Sequence, residues 1–305
     1  MKKIVVNGAG SMLGLNLIEY AIKQNVEVIA IVRENSSKIR LLPKSKLVNV
    51  VECNLENICK LELKNDNYDA FYHFAWAGTT GEDRNNMQLQ TANIKYTIDA
   101  IEFANRIGCK RFIGAGSQAE YGRVEGKITP KTSVNPENGY GIAKLASGLM
   151  GKILSEKLGI EFIWTRILSV YGKYNNENTM IMASIKNMLD GKEMKYTKAE
   201  QMWDYLYAED AAKALYLIGK KGKAGSVYCI GSGKAKPLYE YITEMKNQIN
   251  PSLELKFGEI EYSKNQVMNL VADITSLTED TGFMPEISFE EGIRRTINWY
   301  KGECD

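Results

Sequence analysis

The fold is decided by the stretch Ile4-Val5-Val6-Asn7-Gly8-Ala9-Gly10-Ser11-Met12-Leu13-Gly14. A β-branched run leads into a glycine-rich segment, after which apolar residues recur at helical spacing. This pattern predicts a strand, a tight turn and a helix, the context in which a glycine-rich loop binds a dinucleotide rather than merely turning the chain. Such a loop lets the backbone approach a pyrophosphate, and the helix N-terminus favours its charge. The expected contacts with the cofactor are Gly8, Gly10, Ser11, Met12, Leu13 and Gly14.

The end of the second predicted strand indicates which dinucleotide is bound. An acidic side chain there would hydrogen-bond the adenosine ribose, but this chain has Arg33. A guanidinium with Ser36 and Lys38 close behind it suits the additional phosphate of NADP(H). If Arg33 is merely exposed, NAD(H) is the alternative cofactor. Asn54 and Leu55 follow the third strand-like segment and are expected to contact the adenine.

Three further residues predict proton-transfer chemistry. Tyr140 and Lys144 lie one helical turn apart, and Ser117 ends a predicted strand upstream. An ammonium about 4 Å away favours a phenolate by up to about 4 kcal/mol at an effective dielectric of about 20. We therefore expect Lys144 to bring the pKa of Tyr140 towards the working pH, and Ser117 to hold the same substrate oxygen. The Tyr-x-x-x-Lys spacing alone is weak evidence, because solvated helix faces often show it.

Composition excludes several classes of protein. The 305 residues are 44% hydrophobic and 25% charged, which allows a large core. The net charge of +2 gives no indication of a nucleic-acid surface, and no apolar span is long enough for a membrane. Five scattered cysteines and a single histidine, His73, predict neither a metal site nor a disulfide framework. The N-terminal apolar run is too short for a signal peptide, so we expect a cytoplasmic protein.

Motifs along nearly the whole chain add to this pattern. They are His73-Phe74-Ala75, Asn93, Ser117-Gln118-Ala119-Glu120-Tyr121-Gly122, Tyr140 with Lys144, Val170-Tyr171-Gly172, Gln201-Met202-Trp203-Asp204 and Gly282-Phe283-Met284-Pro285. Together they resemble the extended short-chain dehydrogenase/reductases, specifically the nucleotide-sugar epimerase/dehydratase/reductase group. The resemblance implies an α/β fold: a Rossmann-type doubly wound parallel sheet with a smaller C-terminal α+β substrate lobe. It assigns residues 1–171 to the NADP-binding domain and 172–305 to the substrate lobe, with 205–230 able to cross back to the sheet.

The resemblance also implies roles for single residues. Ser117, Tyr140 and Lys144 are the expected catalytic residues, and Tyr140 and Lys144 also contact the nicotinamide end of the cofactor. Ala75, at the end of a buried strand, is a further cofactor contact. The expected substrate contacts are Trp76, Gln118, Ser169 and Trp203.

Departures from the family pattern help to choose the reaction. The family's 4,6-dehydratases carry adjacent Asp and Glu where this chain has Gln118 and Ala119, which argues against dehydration. Trp203 stands where many relatives place an arginine that binds the nucleotide diphosphate, and Ser169 replaces a frequent asparagine. Ser11 occupies the middle glycine position of the loop, where its hydroxyl could donate to a phosphate.

These features favour the NADP-dependent reduction of a keto group on a nucleotide-linked deoxysugar, with a 4-keto-6-deoxy sugar as the expected substrate. One alternative is a nucleotide-sugar epimerase that retains its NAD(P), because the same three residues serve both reactions. A non-catalytic dinucleotide-binding regulator is a further alternative, but the intact set of Ser117, Tyr140 and Lys144 argues against it. Family members commonly form homodimers through the helices that hold Asn93 and Tyr140, so a homodimer is expected here as well.

Overall fold

The computed structural model describes residues 1–303, so that Cys304, one of the five cysteines, lies outside the described range. The strands are β1 (Lys3–Asn7), β2 (Glu27–Val32), β3 (Val48–Glu52), β4 (Ala70–His73), β5 (Arg111–Ser117), β6 (Glu161–Ile167), β7 (Ser169–Tyr171), β8 (Met194–Tyr196), β9 (Met202–Trp203), β10 (Tyr205–Tyr207), β11 (Val227–Ile230), β12 (Lys236–Pro237), β13 (Leu255–Phe257) and β14 (Asn269–Leu270). The α-helices are α1 (Met12–Lys23), α2 (Met87–Arg106), α3 (Gly139–Leu158), α4 (Met180–Leu189), α5 (Ala208–Lys221), α6 (Leu238–Ile249), α7 (Thr275–Thr281) and α8 (Phe289–Lys301). Short 3₁₀ helices cover Ser37–Leu41, Leu55–Lys60, Gly81–Asn85 and Gln118–Glu120.

A seven-stranded sheet in the order β11-β6-β5-β4-β1-β2-β3 forms the centre of the protein, and all of its strand pairs are parallel. Both faces of the sheet are covered. Ile4 and Val6 of β1 pack in one apolar cluster with residues of α1 and α5, whereas Val5 packs in a second cluster with residues of α2. Burial on both faces explains why the β1 sequence reads as a continuous apolar run rather than an alternating one. The predicted doubly wound parallel sheet is confirmed.

The strand order reverses between β1 and β4, because the chain leaves β3 at one edge and returns to the other side of β1. In open parallel sheets, ligands bind at the carboxyl ends of the strands beside such a reversal. The glycine turn follows β1, and the segment that begins with Phe74 follows β4. Both segments therefore meet at the edge of the sheet where a dinucleotide is expected.

The C-terminal part of the chain has an apolar core of its own. Helices α4, α6 and α8 contribute Ile185, Ile242, Met245, Ile293 and Ile297, all nearly or completely buried. The chain also returns to the sheet in this region, since β11 pairs with β6 and α5 packs against α1. Among residues 1–303, no helix is long and apolar enough to span a bilayer.

Candidate active site

The glycine turn is shaped by contact between β1 and β4. Gly8 has a φ of +88°, and a Cβ atom there would lie 2.5 Å from the backbone nitrogen of Ala75. A Cβ at Gly14 would lie 2.5 Å from the carbonyl oxygen of Gly8, so glycine also allows α1 to approach the turn. Ser11 has an ordinary extended conformation, and its hydroxyl accepts a hydrogen bond from the Gly14 nitrogen as the N-cap of α1. Serine therefore fits the position where the family pattern has glycine.

A cavity of about 590 Å³ opens beside this turn. Its lining includes most of the residues predicted to contact the cofactor: Gly8, Gly10, Ser11, Arg33, Ser36, Lys38, Asn54, Leu55 and Ala75. Met12, Leu13 and Gly14 form the first turn of α1. The Gly14 N–H is capped by Ser11, whereas the N–H groups of Met12 and Leu13 have no partner within the helix and suit a pyrophosphate. The lining also contains Glu56, Thr79 and Tyr96, which the sequence did not indicate. The close packing of the Gly8 backbone against Ala75 leaves no side chain in the turn, and the size of the cavity fits a dinucleotide.

The lining of the cavity carries two cations, Arg33 and Lys38. Arg33 and Lys38 are exposed, and neither has an ion-pair partner among residues 1–303. The Lys38 side chain lies against the glycine turn, since a Cβ at Gly10 would be 3.1 Å from the Cβ of Lys38. The neighbouring Glu34 carboxylate is occupied by the Asn54 amide, which donates to it at 3.0 Å. The amide carries no charge, so the Glu34 carboxylate and Glu56, which also lines the cavity, remain as negative charges near the two cations.

The three predicted catalytic residues come together at the C-terminal end of β5. Ser117 is the last residue of β5, Tyr140 lies in the first turn of α3, and Lys144 follows one turn later. The Ser117 hydroxyl faces the Tyr140 phenol and lowers its pKa. The Lys144 ammonium is buried and donates to the carbonyl oxygen of Ala115 in β5, with a nitrogen–oxygen distance of 2.5 Å. Asn138 caps the start of α3 by accepting from the Gly141 nitrogen at 2.9 Å.

The electrostatics of Tyr140 differ from the expectation drawn from the sequence. Burial raises the pKa of Tyr140, while the hydrogen bond with Ser117 and the charge of Arg84 act in the opposite direction. The Lys144 nitrogen lies 5.8 Å from the centre of the Tyr140 ring and points to β5, and burial lowers the pKa of Lys144 to about 7. The expected shift of the Tyr140 pKa towards neutrality is therefore absent, because desolvation outweighs the nearby charges.

Trp76 connects the cavity with the catalytic residues. Its indole lines the cavity and meets the Tyr140 ring edge to face, with ring centres 6.0 Å apart. The Lys144 ammonium lies 3.7 Å from the centre of an indole ring, a cation–π contact. The indole nitrogen donates to Gln90 Oε1 at 3.0 Å, which fixes the ring against α2. Trp76 was predicted to contact substrate, and its position also brings it to the boundary between cavity and catalytic residues.

The segment that carries Trp76 is held by α2. The Asn93 amide accepts from the Ala77 nitrogen at 3.0 Å and donates to the Ala77 carbonyl at 2.8 Å. His73 is buried under this segment between Asn7 and Thr97, at 3.1 Å and 3.4 Å, and burial lowers the pKa of His73 to about 3. A neutral histidine in these contacts supports the shape of the site and does not face the cavity lining.

Comparison with known proteins agrees with this geometry. The model of the NAD-dependent epimerase/dehydratase family matches residues 4–231, which is more than half of the chain. The chain belongs to this family. Its sequence relatives include dTDP-glucose 4,6-dehydratases, and solved nucleotide-sugar epimerases share its fold. With the family match, this confirms the predicted membership of the extended short-chain dehydrogenase/reductases. Because these relatives are enzymes, the prediction of an enzyme rather than a non-catalytic regulator is confirmed as well.

Individual relatives show how far the likeness extends. The dTDP-glucose 4,6-dehydratase of Shigella flexneri is 30% identical over 180 residues, a match that covers 57% of this chain and 50% of that protein. The UDP-N-acetylglucosamine 4-epimerase of Methanobrevibacter ruminantium, solved with UDP-N-acetylmuramic acid, has a TM-score of 0.89 at 22% identity and covers 99% of both chains. The dTDP-glucose 4,6-dehydratase of Streptomyces venezuelae, solved with NAD, has a TM-score of 0.85 at 20% identity, covering 98% of this chain and 97% of that one. At these identities the structural likeness establishes the fold.

Within this epimerase/dehydratase chain, the predicted substrate contacts fall into two groups. Ser169 and Trp203 lie together, with the indole nitrogen donating to the serine hydroxyl at 2.8 Å. The backbone carbonyl of Trp203 also accepts from the Tyr241 hydroxyl at 2.9 Å. Gln118 lies in the 3₁₀ helix directly after Ser117. Only Trp76 of the four lines the cavity beside the glycine turn.

Two charged residues near the catalytic set were given no role by the sequence analysis. Glu120 is completely buried, and its carboxylate accepts from the Ser117 nitrogen at 2.8 Å and from Arg166 Nε at 2.7 Å. Arg84 lies with its guanidinium carbon 4.4 Å from the centre of the Tyr140 ring. Glu120 forms a capping box with Ser117, a local signal that could have been read from Ser-x-x-Glu. Arg84 carries no such signal. Among residues 1–303, no three His, Cys, Asp or Glu side chains lie close enough together to hold a metal ion.

Proposed function

We propose that this chain reduces a keto group on a nucleotide-linked sugar with NADPH, and that a 4-keto-6-deoxy sugar is the substrate. The observation that carries the proposal is the cluster of Ser117, Tyr140 and Lys144 beside a dinucleotide-sized cavity whose lining includes two cations, Arg33 and Lys38. The residue set suits carbonyl reduction, which requires a hydride, a proton donor and a hydrogen bond that orients the carbonyl oxygen.

The chain's own residues supply the proton and the geometry. A nicotinamide bound in the cavity supplies the hydride. Tyr140 donates its phenolic proton to the keto oxygen, and its raised pKa keeps that proton in place until the oxygen becomes basic. Ser117 hydrogen-bonds the same oxygen and holds it against the phenol. Lys144, with a pKa lowered to about 7, is able to take up or release a proton near neutral pH beside Tyr140.

The preference for NADP(H) is proposed from the two cations that line the cavity. Arg33 and Lys38, with Ser36 between them, offer a guanidinium, an ammonium and a hydroxyl to one phosphate group. A reductase that consumes its cofactor draws it from a reducing pool, which NADPH supplies. Arg40 provides a matched control, because it is exposed in the same 3₁₀ helix as Lys38 but does not line the cavity.

The cofactor proposal is tested by thermal shift with each dinucleotide. Loss of an arginine–phosphate contact removes about 1.5–3 kcal/mol of binding free energy. We therefore expect Arg33→Ala to weaken NADP binding by a factor of ten or more and to leave NAD binding nearly unchanged. Arg40→Ala should alter neither. Equal weakening of both dinucleotides in Arg33→Ala would exclude recognition of the additional phosphate.

The reaction is tested by incubating the protein with NADPH and a panel of 4-keto-6-deoxy nucleotide sugars. Net loss of absorbance at the reduced nicotinamide band supports the reductase. Tyr140→Phe should reduce turnover by a factor of about 10²–10⁴, the usual contribution of general acid catalysis. Activity in Tyr140→Phe equal to that of the unaltered protein would refute the role of the phenol.

An epimerase is the second candidate function. The same three residues can oxidise and re-reduce one carbon, which supports it, and the UDP-N-acetylglucosamine 4-epimerase of M. ruminantium shares the fold over the full length. In this case an isomerised nucleotide sugar forms without net consumption of NAD(P)H in the same assay. A dehydratase is not proposed, because Gln118 and buried Ala119 stand where dehydration requires an acid and a base.

We also propose that the protein forms a homodimer through α3. This helix exposes Ile142, Leu149, Met150 and Ile153, and Ile153 is 70% exposed. Their spacing puts them on one stripe, and burial in a partner is the ordinary use of such a stripe. Ile153→Glu should convert the dimer to a monomer in light-scattering measurements, whereas Ile260→Glu, at an exposed residue elsewhere, should not. A monomer for the unaltered protein at micromolar concentration would contradict the proposal.

A further inference from the structure

An arginine lies against the catalytic tyrosine. The Arg84 guanidinium carbon is 4.4 Å from the centre of the Tyr140 ring, on a side chain that is only partly exposed. Arg84 donates to the carbonyl oxygen of Thr79 at 3.2 Å and has no carboxylate partner among residues 1–303. Its charge is therefore not neutralised by an acid and acts directly on the ring it covers.

The approach of Arg84 is built into the backbone. The 3₁₀ helix Gly81–Asn85 is joined to α3 by a hydrogen bond from the Gly139 nitrogen to Asn85 Oδ1 at 3.0 Å. A Cβ atom at Gly139 would lie 3.0 Å from the Arg84 carbonyl oxygen, so the absence of a side chain lets the two segments meet. Residue 139 immediately precedes Tyr140, and this contact therefore sets the guanidinium over the ring.

We propose that Arg84 is a positioning residue that stabilises the phenolate form of Tyr140, a part usually given to the lysine one turn away. The inference rests on the proposed function, in which the phenol exchanges a proton with the substrate oxygen. Lys144 is poorly placed to stabilise the phenolate, because its ammonium donates a hydrogen bond to the Ala115 carbonyl and lies over the Trp76 ring. A guanidinium, unlike an ammonium, is not deprotonated in proteins.

The charges that face Tyr140 support this assignment. Arg84 and the hydrogen bond with Ser117 both lower the pKa of Tyr140. Glu120, which lies behind Ser117, raises the pKa of Tyr140. Burial lowers the pKa of Lys144 itself to about 7, so that its charge is lost as the pH rises above neutrality. Above that pH, Arg84 is the cation that remains beside the phenol.

The inference is tested by placing a fluorinated tyrosine at position 140 and following its ionisation by ¹⁹F NMR. Fluorination lowers the phenol pKa into a range in which the protein remains folded. An opposite charge within this distance shifts a pKa by about one unit or more, so Arg84→Met should raise the measured value by about one unit. Arg84→Lys should recover part of the shift, because it keeps the charge but not the flat guanidinium. High salt should reduce the difference between the unaltered protein and Arg84→Met.

A matched control is Arg123→Met, since Arg123 is paired with Glu137 at 2.9 Å and has no recorded contact with Tyr140. It should leave the ionisation unchanged. The inference is overturned if the pKa of the fluorinated tyrosine in Arg84→Met lies within about 0.2 unit of its pKa in the unaltered protein, because one unit corresponds to a tenfold change in the ionisation constant. If Arg84→Met does not fold, Arg84→Gln, which also removes the charge, decides by the same criterion.

The result is separable from the test of the proposed function. Turnover lost in Tyr140→Phe but no change of ionisation in Arg84→Met contradicts the part given to Arg84 and leaves the proposed function standing. Turnover retained in Tyr140→Phe contradicts the proposed function, whatever the titration shows. When the titration shows the shift and Tyr140→Phe loses turnover, Arg84→Met should also move the basic limb of the pH profile of kcat upward by about one unit, because Tyr140 must be protonated to act as the acid.

Discussion

The buried ion pair behind Ser117 permits a quantitative prediction for Glu120→Gln. Glu120 is 0% exposed and Arg166 8% exposed at their side chains, and the carboxylate also accepts from the Ser117 nitrogen and from Trp164 Nε1. The amide of glutamine keeps the shape of the side chain but removes its charge. Arg166 is then left as a buried cation without a neutralising partner, and such an uncompensated buried charge is strongly destabilising.

The magnitude follows from that burial. Breaking a buried pair by removing one partner costs about 3–5 kcal/mol. The entropy of unfolding is about 2.1 cal/mol/K per residue, which for 305 residues gives about 0.64 kcal/mol/K. Dividing the two predicts a fall in Tm of about 5–8 °C for Glu120→Gln. The double variant Glu120→Gln/Arg166→Met should recover a large part of this loss, because no charge is then left buried.

A second Arg–Glu pair serves as the control and makes the assay decisive. Arg123 and Glu137 pair at 2.9 Å, but their side chains are 47% and 31% exposed. Exposed pairs contribute about 0–1 kcal/mol, so Glu137→Gln should lower Tm by less than about 2 °C. Thermal unfolding followed by circular dichroism measures both variants. Equal Tm values for Glu120→Gln and the unaltered protein would refute the reasoning, because they would mean that the Arg166 guanidinium reaches solvent or another partner once the carboxylate is gone.

Two further predictions concern the cofactor turn and the buried lysine. Gly8→Ala should abolish the thermal shift caused by NADP and lower Tm, because its Cβ would meet the Ala75 nitrogen at 2.5 Å and its φ is +88°; an unchanged ligand shift would contradict this geometry. Lys144 has a folded-state pKa lowered to about 7, so the unfolded chain binds more protons between pH 7 and about 10. Stability of the unaltered protein should therefore rise relative to Lys144→Met across that window, and remain at a constant deficit below it. Parallel Tm-against-pH curves for the two proteins would show that the ammonium is hydrated rather than buried.

The sequence determined the elements whose signals are local. The order of strand, glycine turn and helix in the first two dozen residues could be predicted because turn geometry, N-cap and helical periodicity each depend on neighbouring residues. Ser117, Tyr140 and Lys144 could be named for the same reason, since each has a recognisable place at the end of a strand or on a helix face. Family motifs then added the doubly wound sheet.

Only the tertiary structure decided how these residues act on one another. That Lys144 faces Ala115 and Trp76 while Arg84 covers Tyr140 depends on how α2, α3 and the segment between β4 and α2 pack together. The sign of the Tyr140 pKa shift was likewise unpredictable, because spacing along a helix fixes the distance between two groups but not how much water either one keeps. Desolvation is a property of the packed structure, and here it outweighs the charges that the sequence could supply.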